Sequence, residues 1–323
     1  MTATPHSHRL AYLALAAVCF FWGTTYLGIR IALEGMPPVY LIGIRYVISG
    51  AILLLGARMA GIAIPNGREF WLTALCGAAG IGFGSSCLAV AELYIPSGSA
   101  ALFYTAAPFW MVGIDALLPN GKKPLLATLG GLAIGMFGVA YMIYPAAVHE
   151  GMSGKTWPGF LLIQMSVAAW TVGSLLQKRV HSHAPAFVTG AVQQLAAGVV
   201  CWLAALRLEN FPATVGMRSV TAVAYLVVFG SIVGYSAFIY AVKNLPVAIV
   251  SIYYFVNPAV AVFLGWVFFR EPFGVRPAIA VLIIFAGISI VRWSEAAESR
   301  KSFRAFSSAG TEVSEQTSPF TSD

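Results

Sequence analysis

Apolar residues run along the chain in ten long stretches, at about 10–31, 38–58, 70–94, 97–118, 124–144, 157–178, 185–206, 219–242, 246–269 and 274–293. Each is near the roughly 20 residues a helix needs to cross about 30 Å of hydrocarbon. Such runs predict helices rather than strands, because lipid offers no partner for an unpaired backbone amide. The breaks carry turn chemistry: Pro37-Pro38, Pro65-Asn66-Gly67, Pro119-Asn120-Gly121, His181 to Pro185 and Asn210 to Pro212. The expected fold is therefore an all-α integral membrane protein with ten transmembrane helices.

An internal repeat organises these helices. At a constant shift of 150, Gly84 meets Gly234, Ser86 meets Ser236, Ala91 meets Ala241 and Pro96 meets Pro246. Further on, Tyr104 meets Tyr254, Pro108 meets Pro258 and Val112 meets Val262. These seven identities over 33 positions need no gap. The longest inner connection, 145–156, then divides the chain into five helices at 10–144 and five at 157–293, with residues 1–9 before them. Five is odd, so the second copy enters the membrane from the opposite side. Two inverted five-helix repeats about an axis in the membrane plane are an arrangement typical of secondary transporters.

Composition sharpens the class. Only 10% of the 323 residues are charged and 59% are hydrophobic, with a mean hydropathy of +0.81. A soluble domain carries about 25% charged residues because its surface must face water. The net charge of +7 does not point to nucleic acid, since the basic residues are scattered at helix ends. With the N-terminus in the cytoplasm, twelve Lys and Arg fall inside and six outside, Arg45 lying within a helix. That bias places both termini in the cytoplasm and the protein in the inner or plasma membrane. Residues 294–323, rich in Ser, Thr, Glu and Phe without periodicity, read as a disordered cytoplasmic tail. The four cysteines lie in apolar runs without metal-ligand spacing, and no G-x-x-x-x-G-K-[ST] run is present. No metal site, cofactor or ATP-binding domain is expected.

Depth along the helices selects candidate cavity residues. At about 1.5 Å per residue, Trp22 and Trp170 lie near the midplane, too deep for an interfacial belt. Pro108 and Pro258 fall at similar depth and are expected to kink their helices, freeing backbone carbonyls. Asn257, directly before Pro258, needs a partner at that depth. Tyr104, Tyr254, Trp110, Tyr235 and Tyr253 add aromatic polar tips, and Ser86 a hydroxyl, to the candidate substrate cavity. Arg45 and Glu92 lie below the outer surface; either each snorkels alone or the two share an outer-side polar network. The glutamines Gln164, Gln193 and Gln194 suit interhelical hydrogen bonds, and the Gly130-Gly131, Gly135 and Gly138 run suits close helix packing.

Trp22-Gly23 with Trp170, Arg45, the Ala91 to Pro108 pattern, its twin from Ala241 through Asn257-Pro258 to Arg270-Glu271-Pro272, and the glycines of the last helix of each half resemble the EamA-type families of the drug/metabolite transporter superfamily. The resemblance covers about residues 10–293. It implies a ten-helix fold with a central cavity and the movement of small metabolites, often out of the cell. One departure stands out: the family commonly has a glutamate after the fourth helix, as Glu271 follows the ninth, where this chain reads Pro119-Asn120-Gly121-Lys122-Lys123.

The expected function is a secondary transporter, an exporter of small organic metabolites such as amino acids, working by alternating access. Its expected partners are the small-molecule substrate, protons with Glu92 as the coupling candidate, and membrane lipid, with no nucleic acid. The alternatives are a membrane-embedded channel or a lipid-modifying enzyme. An enzyme would need a nucleophile with its base or a His-carboxylate cluster, and all five histidines sit in termini or loops.

Overall fold

The computed structural model describes residues 5–118, 124–149, 154, 156–180, 182–245, 247–250, 252–271, 274–291 and 293–294. Among them there is no strand. Seven helices are long and apolar enough to cross a membrane: α1 Arg9–Ala32, continued back to Pro5, α2 Pro38–Met59, α3 Gly67–Ala91, α4 Ser97–Leu117, α6 Thr156–Arg179, α7 Ala186–Leu208 and α8 Met217–Asn244. Three have shorter apolar stretches: α5 Leu126–His149, α9 Tyr253–Phe269 and α10 Val275–Val291. Their lipid-facing sides keep large apolar side chains exposed, among them Leu13, Leu55, Trp71, Leu203 and Phe268, as a hydrocarbon solvent requires.

Three elements depart from uninterrupted α-helix. The fourth helix divides into Ser97–Tyr104 and Ala107–Leu117, with Thr105 and Ala106 between them. Pro108 stands in the first turn of the second segment, where its missing N–H costs nothing within that turn. Pro258 instead lies inside α9, which continues through it. The third and eighth helices each contain a π-helical section, Ala78–Phe83 and Leu226–Val233. Helix α5 runs five residues beyond the expected end at 144, to His149.

Packing follows small residues. Between α2 and α7, a Cβ on Gly50 or Gly198 would collide with the backbone of Leu195 or Val47, so these two helices approach more closely than alanine permits. On the periphery, α5 meets α10 through Gly131, whose Cβ would lie 2.8 Å from the Gly287 carbonyl. Phe109, Val139, Ile284 and Ile288 close that seam. The main core gathers Ile29, Leu41, Ile42, Ile81, Ala197 and Leu226 from α1, α2, α3, α7 and α8. All four cysteines are buried and free.

At the face carrying the α1–α2 turn, polar ties join distant parts of the chain. Glu209, after α7, accepts from the backbone amides of Val39 and Tyr40 at 3.0 Å, capping α2. Glu271, after α9, accepts from the amides of Ser97 and Gly98 at 2.8 and 2.9 Å, capping α4. The Arg218 side chain meets Glu34 at 3.3 Å. Carboxylates at helix N-termini satisfy amides that the helix itself leaves unpaired. The turn at 119–123, Pro246 and the tail from residue 295 lie outside the described residues; Ser294, expected in that tail, is buried and accepts from Thr128 at 3.0 Å.

Candidate functional site

A cavity of about 160 Å³ lies where α1 to α4 meet α6 to α9. Helices α5 and α10 contribute none of its described lining. The volume is below the roughly 300–1,000 Å³ of pockets for drug-sized ligands, so it suits a small metabolite.

One wall is aromatic. Trp22 stands edge-on to Tyr253, with ring centroids 5.4 Å apart, and Tyr26 stands edge-on to Tyr104 at 6.4 Å. Trp170 and Tyr235 complete the rings. The Tyr235 ring fits because Gly190 on α7 leaves it room: a Cβ there would occupy the position of the hydroxyl.

The other wall is polar, and the π section of α8 builds much of it. A π turn bonds each carbonyl to the fifth residue on and adds a residue to the turn. The Gly230 carbonyl accepts from Trp22 Nε1 at 3.1 Å, and the Ser231 carbonyl accepts from Gln194 Nε2 at 3.5 Å. Ser231 Oγ accepts from Arg45 Nε at 2.8 Å. The guanidinium lies over the Tyr46 ring, 4.9 Å from its centroid, a cation–π geometry. The Tyr46 hydroxyl in turn shares a hydrogen bond with Ser85 Oγ at 3.1 Å. With its nitrogen oriented to donate, the Asn257 amide reaches the carbonyls of Tyr253 and Cys19 at 3.2 and 3.0 Å. It thereby bridges α9 to α1 one residue before Pro258.

The structure brings Trp22, Arg45, Tyr104, Trp170, Tyr235, Tyr253 and Asn257 of the candidate set to this cavity, together with Pro258, expected as a helix kink. It places the others elsewhere. Ser86 turns to Cys201 on α7, at 3.4 Å, and Ser85 faces the cavity instead. The π section just before it rotates the helix face, which an even count of 3.6 residues per turn misses. Trp110 lies beyond the break in α4 and donates to Gln164 Oε1 at 2.9 Å, away from the cavity. Pro108, expected as a helix kink, is buried and does not line the cavity. The Tyr254 side chain lies outside the described residues.

Glu92 does not join Arg45. It is fully buried at the end of α3, its backbone carbonyl accepts from Arg30 Nη1, and neither carboxyl oxygen has a hydrogen-bond partner among the described residues. The reason is helix direction: Arg30 at the end of α1 reaches the α3 terminus, whereas Arg45 projects from α2 toward α8. Sequence reasoning passed over Thr25, Tyr26, Tyr46, Gln194 and Ser231 as lining. Only Gln194, a mid-helix amide beside Gln193, carried a sequence signal; Gln193 itself pairs with Gln177 at 2.9 Å.

A bundle of apolar helices around a buried, partly polar cavity is a multi-pass membrane protein, and its relatives give its class as a transporter. The model of the EamA-like transporter family matches residues 9–144 and again 157–293, so the chain belongs to that family. It is similar to the "Uncharacterized inner membrane transporter YedA" of Escherichia coli K12, 33% identical over 256 residues that span 78% of this chain and 80% of that protein. It is also similar to the "Probable terminal-alkyne amino-acid exporter" of Streptantibioticus cattleyicolor, 25% identical over 87% of this chain and 93% of that one. A solved crystal structure matches with a TM-score of 0.64 at 21% identity, over 87% of this chain and 95% of that chain, a likeness of fold.

Proposed function

We propose that this chain is a secondary transporter that exports small organic metabolites, such as amino acids or related compounds, by alternating access. In this reading it is a ten-helix protein of two inverted repeats, 10–144 and 157–293, with both termini in the cytoplasm. The observation that carries the proposal is the cavity itself, enclosed by four helices from each half and lined by rings, amides and one Arg. Inverted repeats that meet at a central site can rock about it, exposing it first to one side and then to the other. Export of amino acids draws support from the name of the Streptantibioticus relative.

Energy would come from the substrate gradient or from proton exchange. An intramembrane carboxylate is the usual proton carrier, and Glu92, buried with no hydrogen-bond partner for its carboxyl among the described residues, is the candidate. The test is flux into proteoliposomes holding the purified full chain. Uptake that saturates with substrate and accelerates when unlabelled substrate is loaded on the opposite side is expected. Linear flux without exchange would indicate a channel, and no flux across a broad metabolite panel would overturn the transporter reading.

A further inference from the structure

The charge inside the cavity narrows the substrate class. Arg45 is the one charged side chain among its described lining residues, and it is only 6% exposed. Ser231 takes its Nε–H, and Tyr46 lies against the flat face of the guanidinium. No described acid forms an ion pair with it; the Arg218–Glu34 pair lies outside the cavity lining. The remaining N–H groups of the fork are left for whatever fills the space. Nη2 sits against α8 where Gly230 has no side chain: a Cβ there would lie 2.9 Å from it. An Arg left unpaired within a membrane is costly, and a planar carboxylate matches its fork with two parallel hydrogen bonds.

The same wall is unsuited to an ammonium group. Gln194 Oε1 is already occupied by the Ser49 hydroxyl at 2.6 Å, and the Asn257 amide donates to backbone carbonyls. With its carboxylate taken by Arg45, an amino acid would leave its α-ammonium as a net positive charge in the cavity, and no acid stands among the described lining residues. Burying an uncompensated charge is expensive. The rings of Trp22, Tyr26, Tyr104 and Tyr253 meanwhile offer a surface for an apolar body.

We infer that the cavity selects small monocarboxylates with an apolar or aromatic body and no free amine, their carboxylate held by Arg45. The inference rests on the transporter reading above and narrows it, turning from amino acids to the organic acids related to them. A single cation also sets the charge at one, excluding polyanions.

The experiment compares matched triplets on the purified full chain in detergent: 3-phenylpropionate, 3-phenylpropanamide and phenylalanine; 4-methylpentanoate, its amide and leucine; 3-(indol-3-yl)propionate, its amide and tryptophan. Binding is read by calorimetry and thermal stabilisation. At least one carboxylate is expected to bind tenfold or more tightly than its amide and its amino acid. R45Q should erase that preference, while R45K, which keeps the cation without the fork, should retain it with weaker affinity. Preference for the amino acid or the amide, an unchanged order in a folded R45Q, or binding of none of the three carboxylates would overturn the inference. Flux separates the two claims. Carboxylate binding that depends on Arg45 without any flux would refute transport and leave the site; flux of amino acids with no carboxylate binding would do the reverse.

Discussion

Replacing Glu271 tests how the segment after α9 is tied to the start of α4. Its Oε1 accepts from Ser97 N at 2.8 Å and Ser97 Oγ at 2.9 Å, and its Oε2 accepts from Gly98 N at 2.9 Å. Ser97 is fully buried, so water does not readily replace the carboxylate. A hydrogen bond to a charged group contributes about 1.5–3 kcal/mol net, and a negative charge at a helix N-terminus adds about 0.3–1 kcal/mol. In E271Q the amide oxygen keeps the partners of one carboxylate oxygen, but its NH2 then faces another N–H donor. That substitution should cost about 2–4 kcal/mol, one charged bond plus the helix-end charge. E271A strands all three donors and should cost about 4.5–9 kcal/mol. S97A removes the hydroxyl bond alone, for about 1.5–3 kcal/mol. In a chain of this size each kcal/mol moves the melting temperature by about 2 °C. Thermal unfolding of the detergent-solubilised protein should therefore rank parent, S97A, E271Q and E271A in falling order. If E271Q and E271A both melt within about 1 °C of the parent, the carboxylate is not capping α4 and the argument fails.

Other variants probe the site and its surroundings. Trp22→Phe keeps a ring but loses the bond from Nε1 to the Gly230 carbonyl, and should lower flux while leaving membrane expression near that of the parent. Trp22→Ala and Trp170→Ala should impair flux more than expression; normal transport by both would make those rings packing elements. Arg218→Ala should change stability by no more than about 1 kcal/mol, because the Arg218 and Glu34 side chains are 64% and 38% exposed; a larger loss in thermal unfolding would contradict that. If Glu92 carries the coupling proton, E92Q should remove the response of flux to an imposed proton gradient without removing substrate exchange, and a gradient response equal to the parent's would end its candidacy.

Hydropathy made most of the helix inventory legible, because each span must satisfy its own backbone in lipid. It did not reveal the break at Thr105 and Ala106 or the π sections, which depend on how neighbours pack rather than on apolar character. Depth counting set Trp22, Trp170 and Asn257 at mid-helix height, but which way each faces is decided by packing, and all three turn to the cavity. It failed for Ser86 against Ser85, where the face matters and the π turn had shifted it. Arg45 was legible as an anomaly but its partner was not: Ser231 is 186 residues away in sequence, and a serine in an apolar run gives no signal. Glu271 was visible only through family resemblance; its partners Ser97 and Gly98 could not be read from spacing.

The two π sections occupy matching places in the sequence and serve two purposes. Ala78–Phe83 ends at Gly84 and Leu226–Val233 ends at Gly234, the very pair that the shift of 150 superposes. Their surroundings have diverged. In the first half, Gly80 faces Gly173 on α6 so closely that a Cβ on Gly80 would lie 3.1 Å from the Gly173 Cα, leaving a seam of backbone against backbone. In the second, Gly230 and Ser231 turn their carbonyls to Trp22 and Gln194, and the Ser231 hydroxyl to Arg45. The extra residue in each π turn loosens the regular ladder at the same height of the repeat. One half uses that freedom for close packing, and the other spends it on polar groups facing the cavity. Polarity in the cavity is therefore lopsided although both helices carry a π section. A substrate with a polar head at one end and an apolar body at the other would lie with its head toward α2 and α8, where Arg45 and Ser231 meet.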